Sequence, residues 1–376
     1  MATDFTVDRN TVKYVLNSSG DIASVAIDTP AIEYNTDGTY KGLLVEPAST
    51  NLCKQSEDIN TTWNTLDNGA VATDATETPD GDTSSKYIKL VDDGSTGTGI
   101  VRIFQSITVV ANTKYTASVF LKKSGLNWAR LQAASTGGSP DSNPNQYFDL
   151  DNGVLGTGSA GIQDATIEAY PNDWYRCSMT WTQGVGDTAF NFLIYVAEAD
   201  NDAIVDLDGT SSIFVWGAQV EGGPIATSYI PTTTASVTRN KDDISLTGAS
   251  DLIGQSEGTL YMEVDWRRTP GTVQYLLSAS DGTTNNWFLI YNTTTPELKM
   301  YARADADQKT DQGASSTSYS GIQKIAFAYK TDDFELYRNG SSIASDTSGS
   351  LAALGTLTTV DIGQRHGCAY WLEWLR

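Results

Sequence analysis

The sequence predicts an all-β protein: an N-terminal attachment segment followed by two antiparallel β-sandwich, jelly-roll-like domains. Three observations lead there. Apolar residues almost never recur at the i, i+3, i+4, i+7 spacing of an amphipathic helix. Short alternating runs recur instead, broken by Gly, Asn, Asp, Ser and Thr. Thr is abundant, and its branched Cβ favours extended backbone.

Within residues 1–50 the candidate strands are Thr11–Leu16, Ile22–Ile27 and Ala31–Tyr34. Asn17-Ser18-Ser19-Gly20 predicts a turn between the first two. This segment is too small for its own core and is expected to dock on the next domain or on a sister chain.

Residues 51–232 carry about nine candidate strands, including Ser85–Val91, Ile100–Val109, Ala129–Ala134, Gln146–Leu150, Ile162–Tyr170, Phe190–Val196 and Ser212–Val220. Two runs are especially clear. Tyr115–Lys122 sets Tyr115, Ala117, Val119 and Leu121 against Thr116, Ser118, Phe120 and Lys122. Trp174–Trp181 sets Trp174, Arg176, Ser178 and Thr180 against Tyr175, Cys177, Met179 and Trp181. That many strands in this length suit a two-sheet jelly roll. Residues 233–255, rich in turn and charged residues, read as a linker.

Residues 256–376 form a second β unit. Thr259–Trp266 alternates, and Val273–Ser278, Trp287–Tyr291, Glu297–Ala302, Lys324–Tyr329, Phe334–Arg338, Ser342–Ser345, Val360–Gly363 and Ala369–Leu375 follow. Asn339-Gly340 is a type I′ hairpin signal.

Composition narrows the function. The 376 residues carry 46 acids and 24 bases, a net charge of −22. Residues 1–240 hold 29 of the acids and 13 of the bases. That excess sits mainly in turns and argues against nucleic acid, whose phosphates need basic patches. The single His, His366, leaves no His-rich zinc site, and a Ser-His-Asp triad could use no other. Cys53, Cys177 and Cys368 give no CxxC pair and read as buried thiols. No apolar run reaches the roughly 18–20 residues of a membrane helix, so no membrane insertion is expected. MATDFTVDRN lacks the order of a signal peptide, which suggests synthesis in the cytosol without general secretory export.

Tyr34–Leu52, containing Gly42-Leu43-Leu44-Val45-Glu46 and Thr50-Asn51-Leu52, is followed by Ser56-Glu57-Asp58 and Trp63. This stretch resembles a segment of tailed-bacteriophage virion proteins that leads into a carbohydrate-binding-like jelly roll. Ile213–Glu221 with Thr227-Ser228-Tyr229-Ile230-Pro231-Thr232 is similar to the closing strand and exit of that domain. Gly258–Tyr261, Lys324–Tyr329 and Tyr337–Gly340 resemble a concanavalin/laminin-G-like sandwich. The resemblance implies a structural protein on the virion exterior: tail fibre, head fibre or capsid decoration. It further implies virion partner proteins, a homo-oligomer and weak adhesion to host-surface glycans. Related phage domains run on into a basic, proline-containing tail, whereas this chain stops at Glu373-Trp374-Leu375-Arg376. The last sandwich is therefore expected to be trimmed, or completed by a neighbour.

Candidate sites are few. Glu263 and Asp265, at i and i+2, share one strand face at a separation of about 6.5–7 Å. Glycosidases pair carboxylates about 5–9.5 Å apart. These two therefore support an alternative reading, a tail-associated polysaccharide depolymerase; a solvated strand face is the simpler one. His366 is a lone lyase candidate or a turn residue. The sugar-stacking candidates are Trp128, Trp174, Tyr175, Trp287 and Tyr291, since a pyranose face stacks on aromatic rings. Trp287, beside Asn285-Asn286, is the one most expected at the surface. Trp63, Trp181, Trp216 and Trp266 read as core. Asp200, Asp202, Asp206 and Asp208 supply hard oxygens for a structural Ca2+, although their spacing does not match the EF-hand loop. Glu57, Asp58 and Glu221 are rival calcium ligands, as carbohydrate-binding jelly rolls imply. No other cofactor is expected.

Overall fold

The computed structural model describes residues 5–136, 143–266, 273–293, 297–315 and 321–364. His366, Cys368 and the expected strand Ala369–Leu375 lie outside them. Every regular element described is a β-strand, and all paired strands run antiparallel.

The first sandwich packs a seven-stranded sheet on a six-stranded one. In the seven-stranded sheet the order runs Val154–Gly158, Asn145–Asp149, Trp128–Ser135, Ala189–Ala197, Thr98–Thr108, Ile204–Asp206, with Asn64–Asp67 also paired to Thr98–Thr108. The six-stranded sheet runs Asp164–Tyr170, Trp174–Thr182, Lys114–Lys123, Ser212–Gly222, Lys86–Asp92, Gly69–Asp74. Strand alternation points Ala117, Val119, Leu121, Cys177, Met179 and Trp181 inward, where they meet Ile103, Leu131, Phe148, Phe192 and Ile194 from the facing sheet. Trp63 closes the same core, its ring centroid 6.1 Å from that of Phe192.

The second sandwich stacks a seven-stranded sheet on a four-stranded one. The larger sheet runs Thr6–Asp8, Asp243–Thr247, Thr359–Ile362, Gln274–Ser280, Trp287–Asn292, Glu297–Ala304, Asp307–Ser315. The smaller runs Glu257–Trp266, Gly321–Lys330, Asp333–Arg338, Ser341–Asp346. Val264, Trp266, Leu276, Phe288, Met300, Phe327 and Leu336 fill the space between them. The Asn339-Gly340 turn forms as its sequence requires, both residues having positive φ.

One expectation differs from this architecture, and one is narrowed to the first of its two alternatives. Residues 233–255 are not a free linker. Val237–Arg239 pairs with Ser49–Asn51, and Asp243–Thr247 lies inside the larger sheet of the second sandwich. The segment 1–50 packs on its own chain. Thr6–Asp8 pairs with Asp243–Thr247, and the hairpin of Lys13–Leu16 with Ile22–Val25 lays Leu16 and Ile22 on the outer face of the six-stranded sheet. Val7 and Val45 enter the second core.

A buried charge cluster fastens these pieces. Asp242 receives Arg9 at 2.8 Å and Lys13 at 2.6 Å. Glu46, the acid of the Gly42–Glu46 motif, receives Lys13 at 3.0 Å and also pairs with Arg239. Further hydrogen bonds support the ions: Arg9 donates to the Ala26 carbonyl, Lys13 to Leu44, Arg239 to Pro47, and Ser228 N–H to Glu46. Burial alone would raise the Glu46 carboxyl, but Arg239 and Lys13 outweigh it and hold it well below the usual carboxylate range.

Glu46→Ala would leave buried Arg239 without its carboxylate and Lys13 with Asp242 alone, and is expected to cost about 3–5 kcal/mol, read by urea denaturation. Because the folded-state Glu46 is depressed, its contribution is present above the ordinary carboxyl value and is lost as pH falls below about 4.5. Acid titration of wild type against Glu46→Gln should show that loss only in the wild type.

Candidate functional site

The outer face of the six-stranded sheet divides into two halves. One half is aromatic. Phe120, Trp174, Phe214, Trp216 and Tyr229 pack there under the Lys13–Val25 hairpin, with Phe120 edge-on to Trp216 at 5.4 Å. The other half is polar, because Trp174–Thr182 and Asp164–Tyr170 turn Arg176, Ser178, Thr180, Asp164, Thr166 and Glu168 outward. These side chains line a groove of about 280 Å3, with Ile225 and Ala226 on one wall and Asp265 of the second sandwich at its edge.

The wall is a strap, residues 223–229, tied across the sheet. Thr116 Oγ1 donates to the Gly223 carbonyl at 2.9 Å and Thr180 Oγ1 to Pro224 at 3.2 Å. Thr227 donates its N–H and, at 2.8 Å, its hydroxyl to Glu221. Tyr229 shares a 2.7 Å hydrogen bond with Ser56. Asn51 donates to the Ala218 and Ile230 carbonyls. The residues of the Thr50–Leu52, Ser56–Asp58 and Thr227–Thr232 motifs thus interlock to hold the strap.

Arg176 forms the groove floor. It is 5% exposed, donates through Nη2 to Ser118 at 3.1 Å, and lies over the Phe120 ring at 5.5 Å. Its Nε has no hydrogen-bond partner among the described residues. It also borders a second cavity of about 20 Å3 under the hairpin, room for about one water molecule. Thr166 and Ser178 pair their hydroxyls at 2.7 Å. The groove therefore offers donors and acceptors side by side against a small apolar wall.

The expected carboxylate pair does not share a cleft. Asp265 lines this groove, while Glu263 lines a separate cavity of about 600 Å3 with Tyr40, Lys41, Tyr261 and Met262. Glu263 is half exposed, accepts from Tyr261 at 2.6 Å and sits 3.7 Å from Lys324 Nζ. A glycosidase acid needs burial to raise its pKa and a partner across one substrate. This arrangement supplies neither.

The stacking candidates scatter. Trp174 is 0% exposed and donates Nε1–H to the Glu77 carbonyl, so it belongs to the aromatic packing. Trp287, expected at the surface, is 5% exposed and stacks on Tyr301 at 4.5 Å. Tyr291 lies on the same face, half buried, donating to Asp311 at 2.8 Å. Trp128 is half buried on the outer face of the other sheet of the first sandwich, beside Tyr147 and Tyr195. Tyr175 packs against the first core. No two of them face the Arg176 groove. The core assignments of Trp63, Trp181, Trp216 and Trp266 agree with their burial.

The calcium candidates separate as well. Asp202 and Asp208 close their own turns onto Ile204 and Thr210 N–H groups, and Asp58 does so onto Asn60. Glu57 accepts from Tyr229, whereas Glu221 is buried under the strap. Asp206 sits on its short strand. No group of three His, Cys, Asp or Glu converges among the described residues. The buried acid that orders the 206–211 loop is Asp92, which accepts from Gly209 at 2.6 Å and Ser211 at 2.9 Å. Sequence reading passed over both Asp92 and Arg176. The signal for Arg176 was present: a lone base on the outward face of an alternating strand.

No family model matches the chain, and no curated protein matches it. Among solved structures, the CBM40 of Ruminococcus gnavus IT-sialidase aligns over 34% of this chain and 74% of its own, at 18% identity and TM-score 0.29. The CBM22-1-CBM22-2 tandem of Paenibacillus barcinonensis Xyn10C aligns over 84% and 96%, at 10% and 0.28. Mouse laminin alpha1 LG4-5 aligns over 73% and 85%, at 8% and 0.24. Scores this low say nothing about ligand or activity. The class of protein rests on the chain's own sheets: an all-β protein of two antiparallel sandwiches.

Trp174→Ala should cost about 3–5 kcal/mol of stability by urea denaturation, as core loss rather than loss of a sugar platform. Burial pushes the Glu221 carboxyl up to about 7, against the bonds from Thr227 and the nearby Arg176 and Arg239. Between its ordinary value and about 7 the folded state holds the extra proton, so this group lowers stability as pH rises through that range. The Tm difference between pH 5 and pH 7.5 is expected to shift in Glu221→Gln, with the variant gaining relative to wild type at the higher pH.

Proposed function

We propose that this chain is a non-enzymatic structural protein of the exterior of a tailed-bacteriophage virion, adhering to glycans through the Arg176 groove. The observation that carries the glycan reading is the groove itself: a polar cleft in an open sheet face, floored by a buried arginine, lined by hydroxyls and carboxyls, and walled by a tied strap. Saccharide hydroxyls both donate and accept, which suits a lining of Ser, Thr, Asp, Glu and Arg. The virion assignment rests on the phage-like motifs, whose residues build the strap and the Glu46 charge cluster. Partner virion proteins, a homo-oligomer and a virion-surface location belong to the same proposal. Against the depolymerase alternative stands the separation of Glu263 and Asp265 into different cavities.

Two measurements test this. Antibody labelling of particles by negative-stain microscopy should mark the capsid or the tail; unlabelled particles would sink the virion assignment. Glycan-array binding should be present in wild type and lost in Arg176→Met, with Trp287→Ala unaffected. Binding retained in Arg176→Met would move the site elsewhere.

A further inference from the structure

We infer that the outer face of the seven-stranded sheet of the first sandwich is a second binding site, taking saccharides that bear a carboxylate and seating that group on Arg130. Strand pairing sets one row of side chains across five strands of this face: Tyr147, Arg130, Tyr195, Arg102 and Leu66. Two bases thus flank one tyrosine, on strands two spacings apart, about 10 Å. Arg102 Cζ lies 5.3 Å from the Tyr195 ring centroid. Arg130 Cζ lies 4.6 Å from the same centroid and 5.6 Å from that of Tyr147. Ring contacts of this kind hold a cation in place but take none of its N–H donors. Arg130 makes no hydrogen bond and no ion pair among the described residues. Its Nε is closed off, so a ligand meets Nη1 and Nη2.

The polar groups beside Arg130 are donors as well. Tyr195 accepts from Arg102 Nη1 and donates to Gln132 Oε1, each at 2.6 Å. That bond commits the carbonyl end of the Gln132 amide and leaves Nε2 without a partner among the described residues. Arg102 Nη2 is in the same condition, since Nε and Nη1 go to Asp67 and Tyr195. The acids around this row are already engaged: Asp67 with Arg102, Asp149 with the N–H groups of Asp151 and Asn152, Asp200 with Thr157. The ligand must therefore bring acceptors. A carboxylate only accepts, and a guanidinium meets it with two parallel bonds. It also supplies the counter-ion that a half-buried guanidinium lacks here. Trp128, half-buried and two residues before Arg130 on the same face, offers a ring for the apolar side of a pyranose. The net charge of −22 opposes anions at long range, so recognition rests on contact rather than on steering.

Titration calorimetry of the full chain tests this with matched probes: trigalacturonic acid against galactotriose, and 3′-sialyllactose against lactose. An acidic probe should bind at least about tenfold more tightly than its neutral counterpart. Arg130→Met keeps a stem against the two rings and removes the guanidinium, and should erase that preference. Arg130→Lys restores a charge without the fork and should recover only part of it. Near-UV circular dichroism checks that both variants fold. The wild-type chain gives an independent reading: an acidic probe should shield Arg130 from phenylglyoxal, with the labelled site located by mass spectrometry. Acidic probes that bind no more tightly than neutral ones, a preference untouched in Arg130→Met, or equal labelling of Arg130 with and without probe would each overturn the inference. The site lies on the sheet opposite the Arg176 groove, so the two readings fail separately. Arg176→Met should leave the acidic preference intact, and its loss there would overturn the assignment to Arg130. On a glycan array, binding that survives Arg176→Met for carboxylate-bearing glycans alone marks this face and leaves the groove to the neutral ones.

Discussion

The structure depends on the buried charge cluster of Arg9, Lys13, Glu46, Arg239 and Asp242. These five residues come from three stretches far apart in the chain: the N-terminus, the entry to the first sandwich and its exit. Each ion is out of water and would be costly alone. Together they neutralise one another, and backbone carbonyls of Ala26, Leu44 and Pro47 accept further hydrogen bonds from the three cations. The cluster therefore ties the N-terminal segment to the entry and exit of the first sandwich, because separating them leaves a bare charge inside.

That arrangement shapes the six-stranded sheet. A sheet in a sandwich normally buries one face and wets the other. Here the outer face is covered unevenly. The N-terminal hairpin buries its aromatic half, and the strap buries part of its polar half. What remains open is the groove over Arg176. Its position between cover and strap, beside Asp265 of the second sandwich, follows from how the N-terminal segment docks. The fold and the candidate site thus share a cause.

Most of the strands that sequence reading missed have a common feature, three of them showing it plainly. Gly69–Asp74, Val154–Gly158 and Asp307–Ser315 all lie at sheet edges. An edge strand pairs on one side only and faces more water, so its apolar alternation fades, as in Asp307-Gln308-Lys309-Thr310-Asp311. Asp243–Thr247 was missed for a different reason. It is an inner strand, but charged neighbours and nearby Thr and Asn residues mask its short Ile244/Leu246 alternation. Among site residues, the aromatics misled because Trp174 and Trp287 carry no sequence mark that separates a platform from a buried ring. Trp174 lies on an outward face that the N-terminal hairpin covers, and Trp287 is buried by Tyr301 of the neighbouring strand and by its own loop.

The sequence by itself determined the all-β class, the two sandwich units, most central strands and the Asn339-Gly340 turn. These depend on local alternation and on turn residues, which act over a few neighbours. It also carried the motif residues Glu46, Asn51, Ser56, Glu221 and Tyr229 without stating their purpose. Tertiary structure alone decided that Glu46 pins a charge cluster, that 233–255 is sheet rather than linker, and that Glu263 and Asp265 open onto different cavities. It alone placed Arg176 at the base of a groove. Such facts turn on which distant segment covers which face, and a covering made by residues a hundred or more positions away leaves no period in the chain to read.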